Sequence, residues 1–527
     1  MSIFSKTKVR KPQKSSFDLS HENLITTNFG TLTPVLCKEV LPGDVMRCRS
    51  EVLVKLAPLI APIMHRVDCY THYFFVPNRL VWSGWEEFIT GGPDGQSVIQ
   101  PPFFTISKST VSALKTNKIY RLMDCLGVNF PGYADSDTTP AMRFSQLPFR
   151  AYQLIFNEYY RDQNLMDPVD IKKDQSGLLD INYAVESSLH LLYSRQRSYY
   201  KDYFSSALPW TQRGVQATVP IAGTAPVATA QGHNVSWTPA DKVTPVHMNN
   251  GVLVSNDDLY NFDISGGLEA DLANAQGPSI NALRRAYALQ RWLEHNAVGG
   301  ARYIEQILSH FGTQVPDYKL QRPIYLGGGK YPISISEVLQ TGQSTTVSAQ
   351  GNMSGHGMSA GVSNGFKYMF PEHGFVFCIL SIMPRASYFQ GLNRSLNRRD
   401  KLDYAFPEFA NIGEQEVYKN EIYNQGEDHK DEVFGYQSRY AEYKHADSEI
   451  HGDFRTSKLE FWHLARKFAE QPVLSKEFVQ CAGTEAAATS LNRIFAVTDN
   501  AAADHFMVDV YHNIQAIRPL PYFGQPI

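Results

Sequence analysis

The 527-residue chain is poor in most of the features that advertise chemistry. Its six cysteines, at 37, 48, 69, 125, 378 and 481, include no C-x-x-C pair, and their spacing fits neither a zinc site nor a disulfide framework. They read as reduced, mostly buried thiols in a cytosolic setting. Long apolar runs are missing as well. The most apolar early stretch, VLVKLAPLIAPIM at 52–64, is too short to span a bilayer and is broken by Lys55, Pro58 and Pro62. The amino terminus carries positive charge without the apolar segment of a signal peptide, so a soluble protein with no membrane partner is expected. Neither sign of charge dominates: 49 Lys and Arg against 52 Asp and Glu leave −3. Any binding of polyanions must then come from a local patch.

What is present suits a globular, strand-rich protein: 43% hydrophobic residues, 19% charged and 12% aromatic. In VDCYTHYFFVP (67–77), Val67, Cys69, Thr71 and Tyr73 alternate with Asp68, Tyr70, His72 and Phe74, a strand period stopped by Pro77. GFVFCILSIMP (374–384) is a continuous apolar run, as in a strand buried on both faces. HFMVDVYHNIQAI (505–517) alternates, with Phe506, Val508 and Val510 on one side. Helices are expected at 113–127 and at 151–164, where Tyr152, Ile155, Phe156, Tyr159 and Tyr160 make one packed face. A helical segment at 279–312 is capped by Ser279, interrupted at Gly299-Gly300 and stopped by Gly312. Its expected buried face is Ile280, Leu283, Tyr287, Ile304, Ile307, Leu308 and Phe311. Residues 211–278, rich in Gly, Ala, Thr and Pro, read as a large exposed insertion. First and last segments are strands with helices and loops between. That order argues against a doubly wound α/β fold and for an antiparallel β-sandwich with long connections.

The candidate catalytic motifs fail on their surroundings. Gly357-Met358-Ser359-Ala360-Gly361 fits G-x-S-x-G, but a nucleophile elbow needs a strand entering and a helix leaving. Here the approach is QSTTVSAQGNMS and the exit VSNGFKYMFPEHGF, so Ser359 is read as part of a glycine-rich loop, with no base placed by His356 or His373. GGGK (327–330) lacks both ends of a phosphate-binding loop, since Ile324 and Tyr331 stand where glycine and Ser/Thr are required. A turn between RPIYL and YPISI would explain its glycines. The clusters Glu294, His295, Glu305, His310 and Asp504, His505, Asp509, His512 lack metal-ligand spacing. No catalytic, cofactor or metal residue is nominated.

One local patch stands out. Lys6, Lys8, Arg10, Lys11 and Lys14 precede the first acid, Asp18, and read either as a solubilising tail or as a flexible arm at 1–16 that contacts phosphates.

Several stretches together resemble the major capsid proteins of microviruses, the small single-stranded DNA phages, and their gokushovirus-like branch above all. They are FDLSHENLITTNFGTLTPVLCKEVLPGD (17–44), THYFFVPNRLVWSGWEEFITGG (71–92), YYKDYFSSALPWTQRG (199–214), the run from Gly299 to Thr341, EHGFVFCILSIMPRASYFQGLNR (372–394) and FGYQSRYAEYKHADSEIHGDFR (434–455). The match is poorest at 211–278 and near 95–140. The resemblance implies a mainly β fold: one eight-stranded antiparallel viral jelly roll over 17–527, with long inserted loops and a few helices. It implies a virion protein, not an enzyme. Sixty copies would close an icosahedral shell around circular single-stranded DNA, assembled in the host bacterial cytoplasm. The five arm cations would face the genome or an internal scaffolding or DNA-binding protein. Minor capsid proteins and a host surface receptor would be further partners, with 211–278 projecting outward. The competing readings are a cytosolic jelly-roll carbohydrate-binding protein or hydrolase, and a serine esterase acting through Ser359.

Overall fold

In the computed structural model the described residues are 13–106, 119–128, 142–181, 189–215, 217, 279–300, 302–339, 353–362, 364–398, 400–426, 432–481, 491–497 and 504–523, with five short strand pieces between 227 and 270. The chain divides into two compact units, Met1–Thr211 with Gly300–Ile527, and Gln212–Gly299.

Two antiparallel sheets frame the first unit. Their strands are β1 (Ser15–Asp18), β2 (His21–Thr27), β3 (Thr33–Val40), β4 (Val45–Leu56), β5 (Val67–Pro77), β6 (Ile324–Pro332), β7 (Ser334–Leu339), β8 (Met353–Val362), β9 (Phe366–Met369), β10 (Gly374–Pro384) and β11 (Phe506–Arg518). The first sheet runs β1-β11-β4-β8-β7, with β9 also paired to β4 and β2 to β11. The second runs β6-β5-β10-β3. Strands from the two ends of the chain are neighbours: β11 lies along β4 from Phe506 opposite Leu56 to Ile517 opposite Val45. The fold is mainly β, an antiparallel sandwich, as the alternating and continuous runs in the sequence suggest.

The sheets meet face to face. Met46, Cys48, Val52 and Val54 of β4 and Phe506, Val508, Val510 and Ile514 of β11 share one core with Tyr73 and Phe75 of β5 and Val376, Cys378 and Leu380 of β10. Each such side chain contributes roughly 1.5–3 kcal/mol by leaving water. One polar chain crosses this core. The Tyr73 hydroxyl donates to Ser50 Oγ at 2.6 Å, and Ser50 Oγ lies 2.7 Å from His512 Nδ1. His512 Nε2 lies 3.0 Å from the Val35 carbonyl. A carbonyl only accepts, so Nε2 carries the proton and Nδ1 accepts from Ser50.

The sheets differ on their outer faces. β4 and β11 alternate strictly between buried and exposed positions, whereas β5 and β10 are buried almost throughout. Phe74, Val76, Phe377 and Ile379 face away from the sandwich into a second core, with Phe104, Tyr152, Ile155 and Phe156. Helix α1 (Leu147–Ile155) and the π-helical turn Phe156–Tyr160 that continues it supply much of that layer. Its expected face is largely borne out: Tyr152, Ile155, Phe156 and Tyr160 are buried.

Three local readings need correction. Gly327, Gly328 and Gly329 do not form a turn; they lie inside β6, paired with β5 across a bulge. A Cβ at Gly328 would sit 2.5 Å from the Thr71 carbonyl, so glycine is there for close approach. Residues 355–361 are not a loop but the middle of β8, where a Cβ on Gly357 would meet Leu56 at 2.8 Å. Within the expected insertion at 211–278, Ser236–Pro239 pairs with Val246–His247 and with Tyr260–Phe262, and Val227–Thr229 pairs with Leu268–Ala270. The 279–312 segment does form two helices, α2 (Ile280–Gly299) and α3 (Tyr303–Phe311), with the Ser279 cap accepting from Ala282 at 3.1 Å and Gly312 left-handed at φ +64°. Its expected buried face is largely bare, however: Ile280 is 70% exposed, Tyr287 71% and Phe311 80%. Of the helix expected at 113–127, Arg121–Cys125 is helical and 113–118 lie outside the described residues.

Burial holds the His512 pKa down to about 4, against the hydrogen bond to the Val35 carbonyl and with repulsion from Lys38 adding to the effect. The unfolded chain binds this proton near pH 6.5 and the folded chain only near 4. The stability is therefore complete above about pH 6.5 and lost towards pH 4, at about 1.4 kcal/mol per pH unit. Thermal melting should show His512→Gln less stable than wild type near neutrality but with a shallower loss on acidification. Equal slopes would show that His512 does not titrate in this way.

Candidate nucleic-acid interface

The amino-terminal arm joins the framework at the Leu41-Pro42-Gly43-Asp44 turn. The Asp44 N–H donates to the Leu41 carbonyl at 3.0 Å, and the Leu41 N–H donates back to Asp44 Oδ2 at 3.0 Å. Gly43 takes φ +86°, a conformation glycine adopts without penalty. Its N–H donates to Phe370 O at 2.7 Å, and Arg518 Nε sits 3.2 Å from the buried Asp44 carboxylate. On this turn Lys14 is held, its Nζ donating to Gly43 O at 2.6 Å. Lys14 is exposed; Lys6, Lys8, Arg10 and Lys11 lie outside the described residues.

β4 leaves the same turn, and the pleat sends Met46, Cys48 and Ser50 inward and Arg47 and Arg49 outward. Lys367 of β9 stands directly opposite Arg47, with Gln515 of β11 on the other side. Asn513 stands opposite Arg49. All are exposed. Arg47, Arg49 and Lys367 have no carboxylate within ion-pair distance among the described residues. Like charges directly opposite on a sheet repel, so the Arg47–Lys367 pair costs stability. Acid on this face lies elsewhere. Asp18, two strands away on β1, accepts from the Ser20 N–H at 3.0 Å and from its hydroxyl at 2.5 Å, which holds its carboxyl below the usual range. Glu51 is the next outward residue of β4 after Arg49 without forming an ion pair with it, and Asp509 lies further along the sheet.

Nothing here is arranged for catalysis. The Ser359 hydroxyl donates to the Pro332 carbonyl at 2.9 Å from within a strand. Lys330 pairs with Asp68 at 3.0 Å. His505 stacks on Phe495 at 4.3 Å and hydrogen-bonds Val497 O at 2.7 Å, while Asp504 pairs with Arg121. No group of three metal-ligating side chains occurs among the described residues. No disulfide joins any of the six cysteines; burial pushes Cys37, Cys69 and Cys125 up to about 12 and Cys48 to about 11, which leaves these four unreactive near neutrality. No helix among the described residues is long and apolar enough to cross a membrane.

A capsid protein (F protein) family matches residues 5–527. The chain belongs to this capsid protein family. Capsid protein VP1 of Chlamydia phage 1 is 34% identical, covering 99% of this chain and 97% of the relative. That of Bdellovibrio phage phiMH2K is 33% identical over 97% and 95%, and that of Spiroplasma virus 4 is 29% identical over 99% and 97%. The protein is thus a structural, non-enzymatic component of a virion, assembled in many copies into a viral shell. This sets aside the carbohydrate-binding, hydrolase and esterase readings.

For the capsid protein, the sequence reading missed Arg47, Arg49 and Lys367 as a group. Replacing Arg47 and Arg49 together by Gln should weaken binding of single-stranded oligonucleotides and reduce the salt slope by about 1.4 log units, two phosphates' worth. An unchanged slope in a salt titration would remove this face from the interface.

Proposed function

We propose that this capsid protein closes a sixty-copy icosahedral shell around circular single-stranded DNA, with the bare face of the first sheet and the arm turned towards the genome. The observation that carries this reading is the unneutralised cation cluster Arg47, Arg49 and Lys367, on the face that starts at the turn holding Lys14. Contacts of this kind are to phosphates and carry no sequence preference. A viral jelly roll is assigned to the two framework sheets as part of the same proposal, its eight strands to be found among the eleven present there.

Large apolar side chains left exposed on one protomer fit assembly. Beyond those on α2 and α3, Leu396 is 75% exposed, Ile412 64% and Phe523 79%, and a soluble monomer rarely leaves so many uncovered. Burial between copies supplies the driving force, and closure makes weak contacts reinforce one another. Residues 211–278 are assigned outward, as a projection that meets a host surface receptor. An internal scaffolding or DNA-binding protein and minor capsid proteins complete the particle, which assembles in the host bacterial cytoplasm.

Native material should appear by electron microscopy as closed particles whose extracted nucleic acid is digested by a single-strand nuclease. Dispersed monomers free of nucleic acid would contradict the proposal. Alanine at Lys6, Lys8, Arg10, Lys11 and Lys14 should reduce packaged DNA or particle stability, and remove about 3.5 log units of salt slope if each meets one phosphate. Unchanged packaging and melting would end the role of the arm. Limited proteolysis of intact particles should cut first within 211–278; full protection there would contradict its outward assignment.

A further inference from the structure

Away from the bare sheet face, aromatic rings border a cavity of about 400 Å³ on the outer side of β5. The Tyr70 and Tyr200 rings are 5.6 Å apart, and His72 lies 6.0 Å from Tyr325. The inner rings are explained by packing, but the rim is not: Tyr200 is 60% exposed and Tyr325 46%. Beside the cavity Lys330 is neutralised by Asp68 at 3.0 Å, and Lys201 by Asp162. Arg197 is not. Its guanidinium lies 4.4 Å from the Tyr70 ring centre and 5.6 Å from that of Tyr200. It donates to Ser381 Oγ at 2.8 Å, with no carboxylate in reach among the described residues. An aromatic rim around one uncompensated cation fits a ring accompanied by a carboxylate. This side of the sandwich is opposite the face turned towards the genome, so nucleic acid is not the source of the anion.

A second uncovered feature of the chain has the matching chemistry. Phe406-Pro407-Glu408-Phe409 makes a tight turn, with Pro407–Phe409 in 3-10 conformation. The Phe406 and Phe409 rings meet edge to face at 6.1 Å and flank Glu408 in the chain. Proline fixes its own φ and keeps the residue before it extended. The turn is therefore presented rigidly, and little freedom is lost when it is held in a contact. Behind it, Arg398 lies 4.9 Å from the Tyr404 ring centre and 4.5 Å from that of Tyr443, and Arg439 donates to Leu402 O at 3.4 Å. Phe406 is 43% exposed. Glu408 is exposed too, with no cation within ion-pair distance among the described residues. Other exposed carboxylates beside apolar side chains fit less well. Glu22 and Glu51 lie on the face turned towards the genome. Glu86 neighbours Phe88, whose ring already packs on Trp82 and Trp85 at 5.5 and 5.9 Å.

We propose that the Phe406-Pro407-Glu408 turn of one copy seats in the Arg197 pocket of a second copy, Phe406 against Tyr200 and Tyr325 and the Glu408 carboxylate on the Arg197 guanidinium. Aromatic and arginine anchors of this kind, buried at the centre of a patch, carry most of the energy of an interface. The pocket and the turn are different patches, so the contact is heterologous. Each copy gives one and receives one, as rings about five-fold or three-fold axes require. The inference rests on the closed-shell reading and names one of the contacts that closes it.

The test is a charge exchange in particles whose only capsid protein is the full-length variant, with closed particles separated from protomers by sedimentation. Arg197→Glu alone and Glu408→Arg alone should each lower particle yield about tenfold or more. The two together should restore it, because the pair is re-formed with its signs reversed. If Arg197→Glu protomers melt early, Arg197→Gln and Glu408→Gln make the milder cycle, in which the double variant loses less than the two single losses combined. A short bismaleimide added to particles that carry both Tyr200→Cys and Phe406→Cys should join copies into a ladder that stops at the ring size. Wild type and either cysteine variant alone should give no ladder.

Single charge variants that assemble like wild type overturn the contact. So do an exchange without rescue, losses that simply add in the neutral cycle, or a doubly substituted particle that gives no ladder. A crosslinked dimer from Tyr200→Cys alone overturns it as well, since that would be an isologous contact. If wild type yields only dispersed protomers, the closed-shell reading itself fails and takes the contact with it.

Discussion

The apolar seam between the two sheets is the constraint on which the rest depends. β4 and β11, from opposite ends of the chain, press Met46, Val52, Val54, Phe506, Val508 and Val510 against Phe75, Val376 and Leu380. A buried polar line across the seam, from Tyr73 through Ser50 and His512 to Val35, ties both sheets in one register. A slip of one residue would turn His512 outward and Tyr511 inward, leaving Ser50 without its partner. With the seam fixed, every other feature acquires a side.

The two sheets have different second faces, and that asymmetry separates the structural work from the surface work. β5 and β10 are covered outside by α1 and its neighbours, so their sequence is apolar at almost every position. β4 and β11 are covered on one face only, and the other is free to carry charge. The pleat then places Arg47, Arg49 and Lys367 together beside the turn that anchors Lys14. A chain with a net charge of only −3 therefore holds a local cationic face without being basic as a whole.

Much of this was legible in the residues, and the failures share a cause. The continuous run at 374–384 and the alternation at 505–517 reported burial on two faces and on one, because strand periodicity is a local property. The rejection of Ser359 as a nucleophile held, since an elbow has local flanking requirements. The glycines at 327–329 and 355–361 were misread as turn and loop. Their role is to let another strand or side chain come close, at Thr71 and at Leu56, and those neighbours are remote in the sequence. The helical period of 279–312 was right, but period alone does not say whether an apolar face is covered by its own chain or by another copy. The cation face was half visible: VMRCRSEVLVKL alternates Arg47 and Arg49 with buried positions, while Lys367 joins them only through the pairing of β9 with β4.

The claim that orders this account is that the uncovered sheet face and the base of the arm meet the genome. Photo-crosslinking of nucleic acid to protein inside intact particles, followed by peptide mapping, tests it directly. The account predicts nucleotide-bearing peptides that contain Lys14, Arg47, Arg49 and Lys367. Crosslinks absent from all of these and confined to other surfaces would contradict it.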